Sequence, residues 1–169
     1  MFTDKENFTE AILAMNDRLF RMAKSLLGDE ERGRDAVQDL YLKIWEKRDE
    51  FEQVQNIPAY TLRALRNLCL DHFKKKKNET EEVNIGIASS QSTPYDAIEG
   101  KDVRKIISES INRLPELQRT IIRLRDVEGF EISEIAYITS SNENAVKVNL
   151  SRARQKIKEQ LILLKIRSI

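Results

Sequence analysis

Apolar residues recur at alternating steps of three and four along most of this 169-residue chain. That spacing places them on one face of an α-helix, whereas a half-buried strand would need strict alternation, which no segment of any length shows. The first series is Phe8, Ile12, Met15, Leu19, Met22 and Leu26. It predicts one helix that Gly28 ends, because glycine readily takes the left-handed conformation after a helix. The pattern predicts an all-α protein.

Two more helices are predicted in the first half of the chain. One follows Asp29, carries Glu30 and Glu31 in its first turn, where the helix dipole favours anions, and runs to about Arg48. The other begins at Asn56 and Pro58. Their apolar stripes are Val37, Leu40, Tyr41, Ile44 and Trp45 in the former, and Leu62, Leu65, Leu68, Cys69 and Phe73 in the latter.

The composition then changes over residues 78–95, NETEEVNIGIASSQSTPY, where most residues are small, polar or acidic and none is cationic. Such a composition is typical of a flexible linker. Beyond it, Leu114-Pro115 and Gly129 separate helical segments, and a short helix over 132–138 precedes a long basic one. We therefore predict two small helical domains, residues 1–78 and 100–169, joined by a flexible linker over 79–99.

Composition excludes several classes of function. With Cys69 and His72 as the only cysteine and histidine, the chain can form no internal disulfide and offers no zinc cluster. No run approaches the roughly 18 apolar residues of a membrane span, and MFTDKENFTE does not resemble a signal peptide. We expect a cytoplasmic protein with no metal, no cofactor and no direct membrane insertion.

The net charge of +1 hides an uneven distribution. Residues 58–78 carry +5 and residues 100–169 carry +5, whereas residues 1–57 carry −4 and the linker −5. Two basic patches suit a polyanion held at two places, because neutralised phosphates supply much of nucleic-acid affinity. Either patch alone would also be ordinary for a solvated helix surface.

Residues 132–150 have the spacing of a helix-turn-helix, a unit that presents its second helix to the DNA major groove. Ile135, Ile138, Val146 and Leu150 are predicted to face inward, with the small Ala136 at the helix crossing and Asn142 as N-cap. An interfacial membrane helix is disfavoured, since residues 142–151 are mostly small and polar. The residues predicted to face base edges or the DNA backbone are Asn144, Lys147, Val148, Ser151, Arg152, Arg154, Lys156 and Lys158.

The apolar run near the end, Leu161 to Leu164 with Ile166, is expected to pack in the core of the second domain, and binding in the groove of a partner protein is the alternative.

With these motifs in place, the chain resembles bacterial sigma factors of the compact extracytoplasmic-function (ECF) group of the sigma-70 family. The resemblance lies in DAVQDLYLKIWEKRDEF and NIPAYTLRALRNLCLDHFKKKK, which resemble region 2, and in LPELQRTIIRLRDVEGFEISEIA and ENAVKVNLSRARQKI, which resemble region 4. It implies a region 2 helical bundle and a region 4 helix-turn-helix domain, and a subunit that directs transcription initiation by recognising −35 and −10 elements and aiding promoter melting.

The resemblance also implies roles for residues of the first half. The helix over 35–48 would dock on the clamp coiled coil of core RNA polymerase, while the next loop and helix would bind the non-template strand of the −10 element. Two residues have an alternative role: Trp45 could be part of the core, and Tyr60, which stands where the family usually has Trp, could simply pack at a helix start. The residues implied are Gln38, Asp39, Leu42, Lys43 and Trp45 for polymerase, and Tyr60, Arg63, Arg66, Asn67 and Lys74 for the −10 element.

In the second half, Lys147, Val148, Ser151 and Arg152 match the recognition helix for the −35 element, and the helix over 115–127 would touch the polymerase flap. The turn reads Thr139-Ser140-Ser141 where the family commonly has Leu-Gly-Ile, Glu131 replaces a frequent capping Ser, and Asn149 replaces a frequent Arg.

Family membership further implies an anti-sigma factor, often membrane-tethered, and no enzymatic activity. A stand-alone DNA-binding regulator and an adaptor protein are the alternatives. An enzyme is disfavoured, because one His, one Cys and no Gly-rich phosphate loop leave only scattered carboxylates.

Overall fold

The computed structural model describes residues 5–80 and 103–167, and these residues form helices and connecting turns without a β-strand. The described helices are α1 (Lys5–Leu13), α2 (Asn16–Leu27), α3 (Glu30–Glu46), α4 (Ile57–Thr80), α5 (Val103–Asn112), α6 (Glu116–Ile122), α7 (Ile132–Thr139) and α8 (Glu143–Arg167). A 3₁₀ segment, Arg48–Gln53, follows α3, and a π-helical turn, Arg123–Val127, continues α6. The predicted all-α class is confirmed.

The prediction of one helix from Phe8 to Leu26 is wrong, because the helix is interrupted at residues 14 and 15, between α1 and α2. At the break the Met15 N–H donates to the carbonyl of Ile12, three residues back, and Met15 itself is buried. The apolar spacing continues through the break, and Ile12, Met15 and Leu19 are all buried. No Gly or Pro lies at the break, so the local sequence gives no signal for it, and α1 packs against α4.

The predicted helix boundaries at Gly28 and Asn56 are confirmed. Gly28 has φ +69° and its N–H donates to the Lys24 carbonyl, which closes α2. The Asp29 carboxylate accepts from the Arg32 N–H at 2.8 Å, and the Asn56 side chain accepts from the Ala59 N–H at 3.0 Å. Side-chain oxygens therefore cap both α3 and α4.

Helix α4 extends to Thr80, so residues 79 and 80 of the predicted linker are helical. The rest of the linker, together with residues 100–102 of the predicted second domain, lies outside the described residues.

The second half follows the predicted order of helices. Gly129 has φ +79°, and the turn that it makes separates the π-helical segment from α7. The π-helical turn itself was not predicted. Its Glu128 N–H donates to the carbonyl of Arg123, five residues back, which places Glu128 on the side facing the first half of the chain.

The buried side chains of both halves form a single cluster. In the first half α2, α3 and α4 pack around Leu19, Leu40 and Leu65, and in the second half α6, α7 and α8 pack around Ile121 and Ile135. The halves also meet, chiefly where α7 packs on α4. The two helical domains therefore lie against each other.

The expectation that the apolar C-terminal run packs in the core is wrong for two of its members. Ile162 and Leu163 are exposed on α8, and only Leu161 and Leu164 are partly buried. Ile166 lies where side chains are not described. Helices α5, α6 and α7 all pack on α8, but they leave this face of its C-terminal part exposed.

Candidate nucleic-acid interface

Helices α7 and α8 form a helix-turn-helix around the predicted inward-facing residues. Ile135, Ile138, Val146 and Leu150 are all buried, and Ala136 is buried between the helices. Ala153 extends the same buried row one turn further along α8. Because this row is held by the scaffold, the opposite face of α8 is held at a defined orientation toward solvent.

Local hydrogen bonds shape the turn between these helices. Ser140 adopts the left-handed conformation, with φ +52° and ψ +40°, and the Ser141 N–H donates to the Ala136 carbonyl at 2.9 Å. The Asn142 side chain then accepts from the Ala145 N–H at 2.7 Å, so the predicted N-cap is confirmed. Helix α7 is capped at Glu131 even without the usual Ser, because the Glu131 N–H donates to the Glu134 carboxylate at 2.8 Å.

The predicted base-facing residues form one exposed row on α8. Asn144, Lys147, Val148, Ser151 and Arg152 are all exposed. The row combines amide, hydroxyl, cationic and apolar groups, which are the types that read donor, acceptor and methyl patterns in the major groove.

Arg154 differs from the rest of the predicted DNA-binding residues of α8 in that it pairs with a residue outside that helix. Its guanidinium donates to both carboxylate oxygens of Asp126, at 2.6 and 3.0 Å, and these hydrogen bonds raise the pKa of Arg154. The pair ties α8 to the π-helical turn. The role of Asp126 was not predicted from the sequence, because the residues around it do not indicate a partner 28 residues away.

The residues predicted for the −10 element are spread over different environments on α4. Asn67 and Lys74 are exposed. Tyr60 is half-buried and its ring meets that of Phe51 edge to face, at 4.8 Å between centroids. The ring of Tyr60 is therefore anchored by packing, as the alternative interpretation held, although part of it remains exposed.

Arg63 and Arg66 of α4 both contact the second half of the chain, and Arg63 is partly buried. Arg66 is only 8% exposed. Its guanidinium makes two hydrogen bonds of 3.1 Å to the Glu116 carboxylate and a longer one to the Thr139 carbonyl. The guanidinium of Arg63 lies 4.5 Å from the ring centroid of Tyr137.

Further polar contacts join the two halves beside these arginines. Glu128 accepts from Arg18 at 2.8 Å and from Arg21 at 2.8 and 3.1 Å. Asn56 donates to the Glu134 carboxylate at 2.7 Å. We call this set of contacts between α2 and α4 on one side, and α6, α7 and the π-helical turn on the other, the seam. Sequence reasoning missed the seam, because its partners lie about 50 to 110 residues apart.

A second surface lies on α3, opposite its buried stripe. The residues predicted to meet polymerase are all exposed: Gln38, Asp39, Leu42, Lys43 and Trp45. Leu42 is 64% and Trp45 63% exposed, so the alternative that Trp45 belongs to the core is wrong. Arg48 lies 5.3 Å from the Trp45 ring centroid. Two large apolar side chains on a polar helix face are typical of a protein-binding surface.

The described residues offer little for other chemistry. Within 5–80 and 103–167 no three His, Cys, Asp or Glu side chains come together as a metal site would require. Over the same part of the chain no helix is both long and apolar enough to cross a bilayer. Cys69 is buried, and burial raises the pKa of its thiol to about 12.

Two family models match the chain. The model described as Sigma-70 region 2 matches residues 12–79, and that described as Sigma-70, region 4 matches residues 104–157. Together they cover more than two thirds of the chain and correspond to the two halves described above.

Curated proteins and solved structures show the same likeness over nearly full length. The chain is 23% identical to the ECF RNA polymerase sigma factor SigW of Bacillus subtilis, over 94% of this chain and 90% of that protein. It is 28% identical to the ECF RNA polymerase sigma factor EcfG of Rhodopseudomonas palustris, over 90% and 83%. The structure resembles the sigma factor RpoE in its complex with the anti-sigma factor NepR from Bartonella quintana, with a TM-score of 0.78, 28% identity, and 92% and 97% coverage.

Proposed function

This chain belongs to the ECF group of the sigma-70 family, and from that premise we propose that it binds core RNA polymerase and directs it to promoters with −35 and −10 elements. Sigma factors are non-enzymatic promoter-specificity subunits of transcription initiation. The observation that carries the proposal is the exposed row on α8, backed by a buried scaffold in a helix-turn-helix.

In this proposal residues 100–169 read the −35 element. Asn144, Lys147, Val148, Ser151 and Arg152 contact bases in the major groove, and the backbone N–H groups at the start of α8 face a phosphate, because helix N-termini favour anions. Arg154 is proposed to contact the DNA backbone from its position beside Asp126, with which it is paired. Lys156 and Lys158, both exposed, follow the same backbone.

Residues 1–78 bind polymerase and the −10 element, and residues 79–99 link the two domains. The exposed Leu42 and Trp45 supply an apolar centre for docking on the clamp coiled coil, with Gln38, Asp39 and Lys43 around it. Aromatic anchors of this kind commonly dominate the affinity of protein interfaces. Helix α6 and the π-helical turn are proposed to touch the polymerase flap.

The −10 element is proposed to bind along α4. Single-stranded DNA is held by a cationic track beside aromatic surfaces, and α4 offers Tyr60, Arg63, Arg66 and Lys74 along its length, with Asn67 among them. Contacts that favour an unstacked base would aid melting.

We also propose that an anti-sigma factor regulates this chain. RpoE of Bartonella quintana, which is 28% identical, was solved in complex with its anti-sigma factor NepR. An anti-sigma factor would work by covering polymerase-binding surfaces. The chain would act in the cytoplasm, where polymerase and promoters are.

In vitro transcription with purified core polymerase on a promoter library tests the proposed function. We expect new, specific start sites only when the protein is added, and co-elution of the protein with core enzyme. Duplex binding without any effect on core polymerase would instead support a stand-alone regulator, and neither activity would support an adaptor.

A further inference from the structure

The ion pair between Arg154 and Asp126 uses only part of the hydrogen-bonding capacity of the arginine. Its Nε and Nη2 atoms donate to the two carboxylate oxygens, at 3.0 and 2.6 Å. A guanidinium carries several further N–H donors, so the edge formed by Nη1 and Nη2 can bind a second anion with the same two-pronged geometry. Among the described residues Asp126 is the only acceptor that this guanidinium has. The Arg154 side chain is 55% exposed, so more than half of it remains accessible to a second anion.

Arg154 lies in an open groove on α8 together with other residues proposed to contact DNA. The groove is lined by Lys147, Leu150, Ser151, Arg154, Gln155 and Lys158. Its three cations and its hydroxyl recur at steps of four, three and four residues, which places them on one face of the helix. Arginine, lysine and hydroxyl side chains are the groups that commonly contact the phosphate backbone of DNA. The groove therefore suits a backbone phosphate.

The acidic Asp126 beside this groove is unexpected on a DNA-binding surface, because an acid near DNA repels the phosphates. Its side chain is 37% exposed, and a pair as exposed as this one contributes little to stability. The π-helical turn that carries it directs Asp126 toward α8, whereas Glu128, two residues further on, faces the first half of the chain. Such π-helical turns are frequent at functional sites.

We propose that Asp126 is a positioning residue for DNA binding by α8, and that it holds the Arg154 guanidinium with its second edge toward a backbone phosphate. The two hydrogen bonds order this long side chain before DNA binds. Without them the side chain would be ordered during binding, which weakens affinity. Asp126 contacts no DNA and acts only through Arg154. The inference rests on the proposed DNA-binding role of α8.

Asp126→Asn tests this role, because it keeps the side-chain shape and replaces one acceptor oxygen with an amide group that only donates. The probe is a fluorescein-labelled, mixed-sequence duplex of about 20 base pairs, or two helical turns, titrated with the full chain at low salt. We expect about three- to tenfold weaker binding than wild type, the range for ordering one long side chain. An acid without this role has the opposite effect, because its removal lessens repulsion of the phosphates. Affinity equal to or above that of wild type would overturn the proposal.

A double-mutant cycle shows whether Asp126 acts through Arg154. Arg154→Ala alone should weaken binding and reduce the slope of log affinity against log salt concentration by about 1, as expected for one lost phosphate contact. Adding Asp126→Asn to Arg154→Ala should cause no further loss, because no guanidinium remains to be held. An equal loss from Asp126→Asn in both backgrounds would refute the positioning role.

Glu143→Gln is the matched control for the loss of one acidic charge. Glu143 is exposed at the start of α8, and its carboxylate lies 3.8 Å from Nζ of Lys147 in the same groove. The substitution removes an acid from the DNA-binding surface and leaves Arg154 paired. We expect it to bind the duplex at least as tightly as wild type. A loss as large as that of Asp126→Asn would contradict the proposal, because the loss of any acid would then have the same effect.

These titrations require neither core polymerase nor a known promoter. A protein that binds the duplex with the expected dependence on Asp126, yet never stimulates core polymerase, would refute the proposed sigma activity and leave the role of Asp126 intact. A protein that directs transcription but binds the duplex equally well after Asp126→Asn would refute the positioning role alone. The two failures are therefore distinguishable.

Discussion

Residue scale

Trp45 and Leu40 lie on opposite faces of α3, and their environments separate binding from stability. Leu40 is 1% exposed in the core, whereas Trp45 is largely in solvent. Leu40→Ala should lower the free energy of unfolding by about 2–5 kcal/mol, because it leaves a cavity. Trp45→Ala should change that free energy by less than about 0.5 kcal/mol, as expected for a surface change, yet weaken binding to core polymerase at least about tenfold.

Denaturant unfolding and a core-polymerase binding titration measure the two effects. A large loss of stability in the Trp45 variant, or undiminished affinity for core enzyme, would contradict this assignment of α3.

Cys69 allows a test of burial within α4. Burial raises the pKa of its thiol to about 12 from an ordinary value of 9.0, so at pH 8 the folded protein holds almost no thiolate. We expect iodoacetamide to label Cys69 very slowly in the native protein and rapidly in denaturant, because the thiolate is the nucleophile. Rapid native labelling at pH 8, read by mass spectrometry, would mean that α4 is not packed as described.

The sign of the effect on stability follows from the same pKa shift. Because the pKa of the Cys69 thiol is raised in the folded state, its contribution to the free energy of unfolding is complete below about pH 9. That contribution decreases as the pH rises from there toward about 12.

Element scale

The turn between α7 and α8 departs most from the family pattern, and the structure explains how it is tolerated. Ser140 holds φ +52°, a conformation that disfavours residues with a Cβ atom. Asn142 offsets this by capping α8, and the Ser141 N–H is bonded to the Ala136 carbonyl. The turn is therefore closed by hydrogen bonds even without the usual glycine.

Ser140→Gly should stabilise the protein by about 0.5–1 kcal/mol, because glycine adopts positive φ without a steric penalty, although its greater freedom in the unfolded chain offsets part of the gain. Ser140→Val should destabilise it by at least as much, since a β-branched side chain is disfavoured there. Thermal unfolding of both variants checks the sign, and Ser108→Gly, at an exposed helical position, is a control that should be destabilising. A destabilised Ser140→Gly protein would show that the turn carries no such strain.

The recognition helix depends on an element that sequence reasoning did not connect to it. The Arg154–Asp126 pair fixes α8 against the π-helical turn, and both partners are partly exposed. Such a pair contributes little to stability. Its importance lies in orientation, because a small rotation of α8 would move every residue of the exposed row relative to a bound groove.

Whole-molecule scale

Because α8 and α4 form two separate proposed DNA-binding surfaces, we expect Arg152 and Arg66 to affect different steps of transcription initiation. Arg152→Ala should weaken binding to a −35 duplex about tenfold, because it removes a contact worth about 1–3 kcal/mol. Arg66→Ala should leave that affinity unchanged and slow promoter opening, which potassium permanganate footprinting over time would measure. Equal losses of duplex affinity in both variants would contradict the division between α8 and α4.

Arg66 also contributes to the seam, as the partner of Glu116. Arg66→Ala therefore weakens the seam as well as DNA binding along α4. Of the measured effects, only slower promoter opening reports on DNA binding. Comparing Arg66→Ala with Glu116→Gln separates these roles, since the latter frees the seam and keeps the cation.

The all-α class, most helix boundaries, and the inward-facing residues of α7 and of the first turns of α8 could be predicted from the sequence alone. These features depend on local physics: a period of 3.6 residues, caps such as Asn142, and glycines such as Gly129 that permit a left-handed turn. The candidate base-reading row was predictable for the same reason, because facing outward is a property of one helix and its immediate support.

Only the tertiary structure decided that α1 and α2 are separate helices, that Trp45 is exposed, and that Arg66 is covered. Each depends on packing between segments far apart in the chain, and a carboxylate such as Glu116 looks like ordinary helix surface until its partner 50 residues away is known. Sequence periodicity identifies which face of a helix is apolar. It does not identify what covers the polar face, because pairing between distant charges leaves no periodic signal.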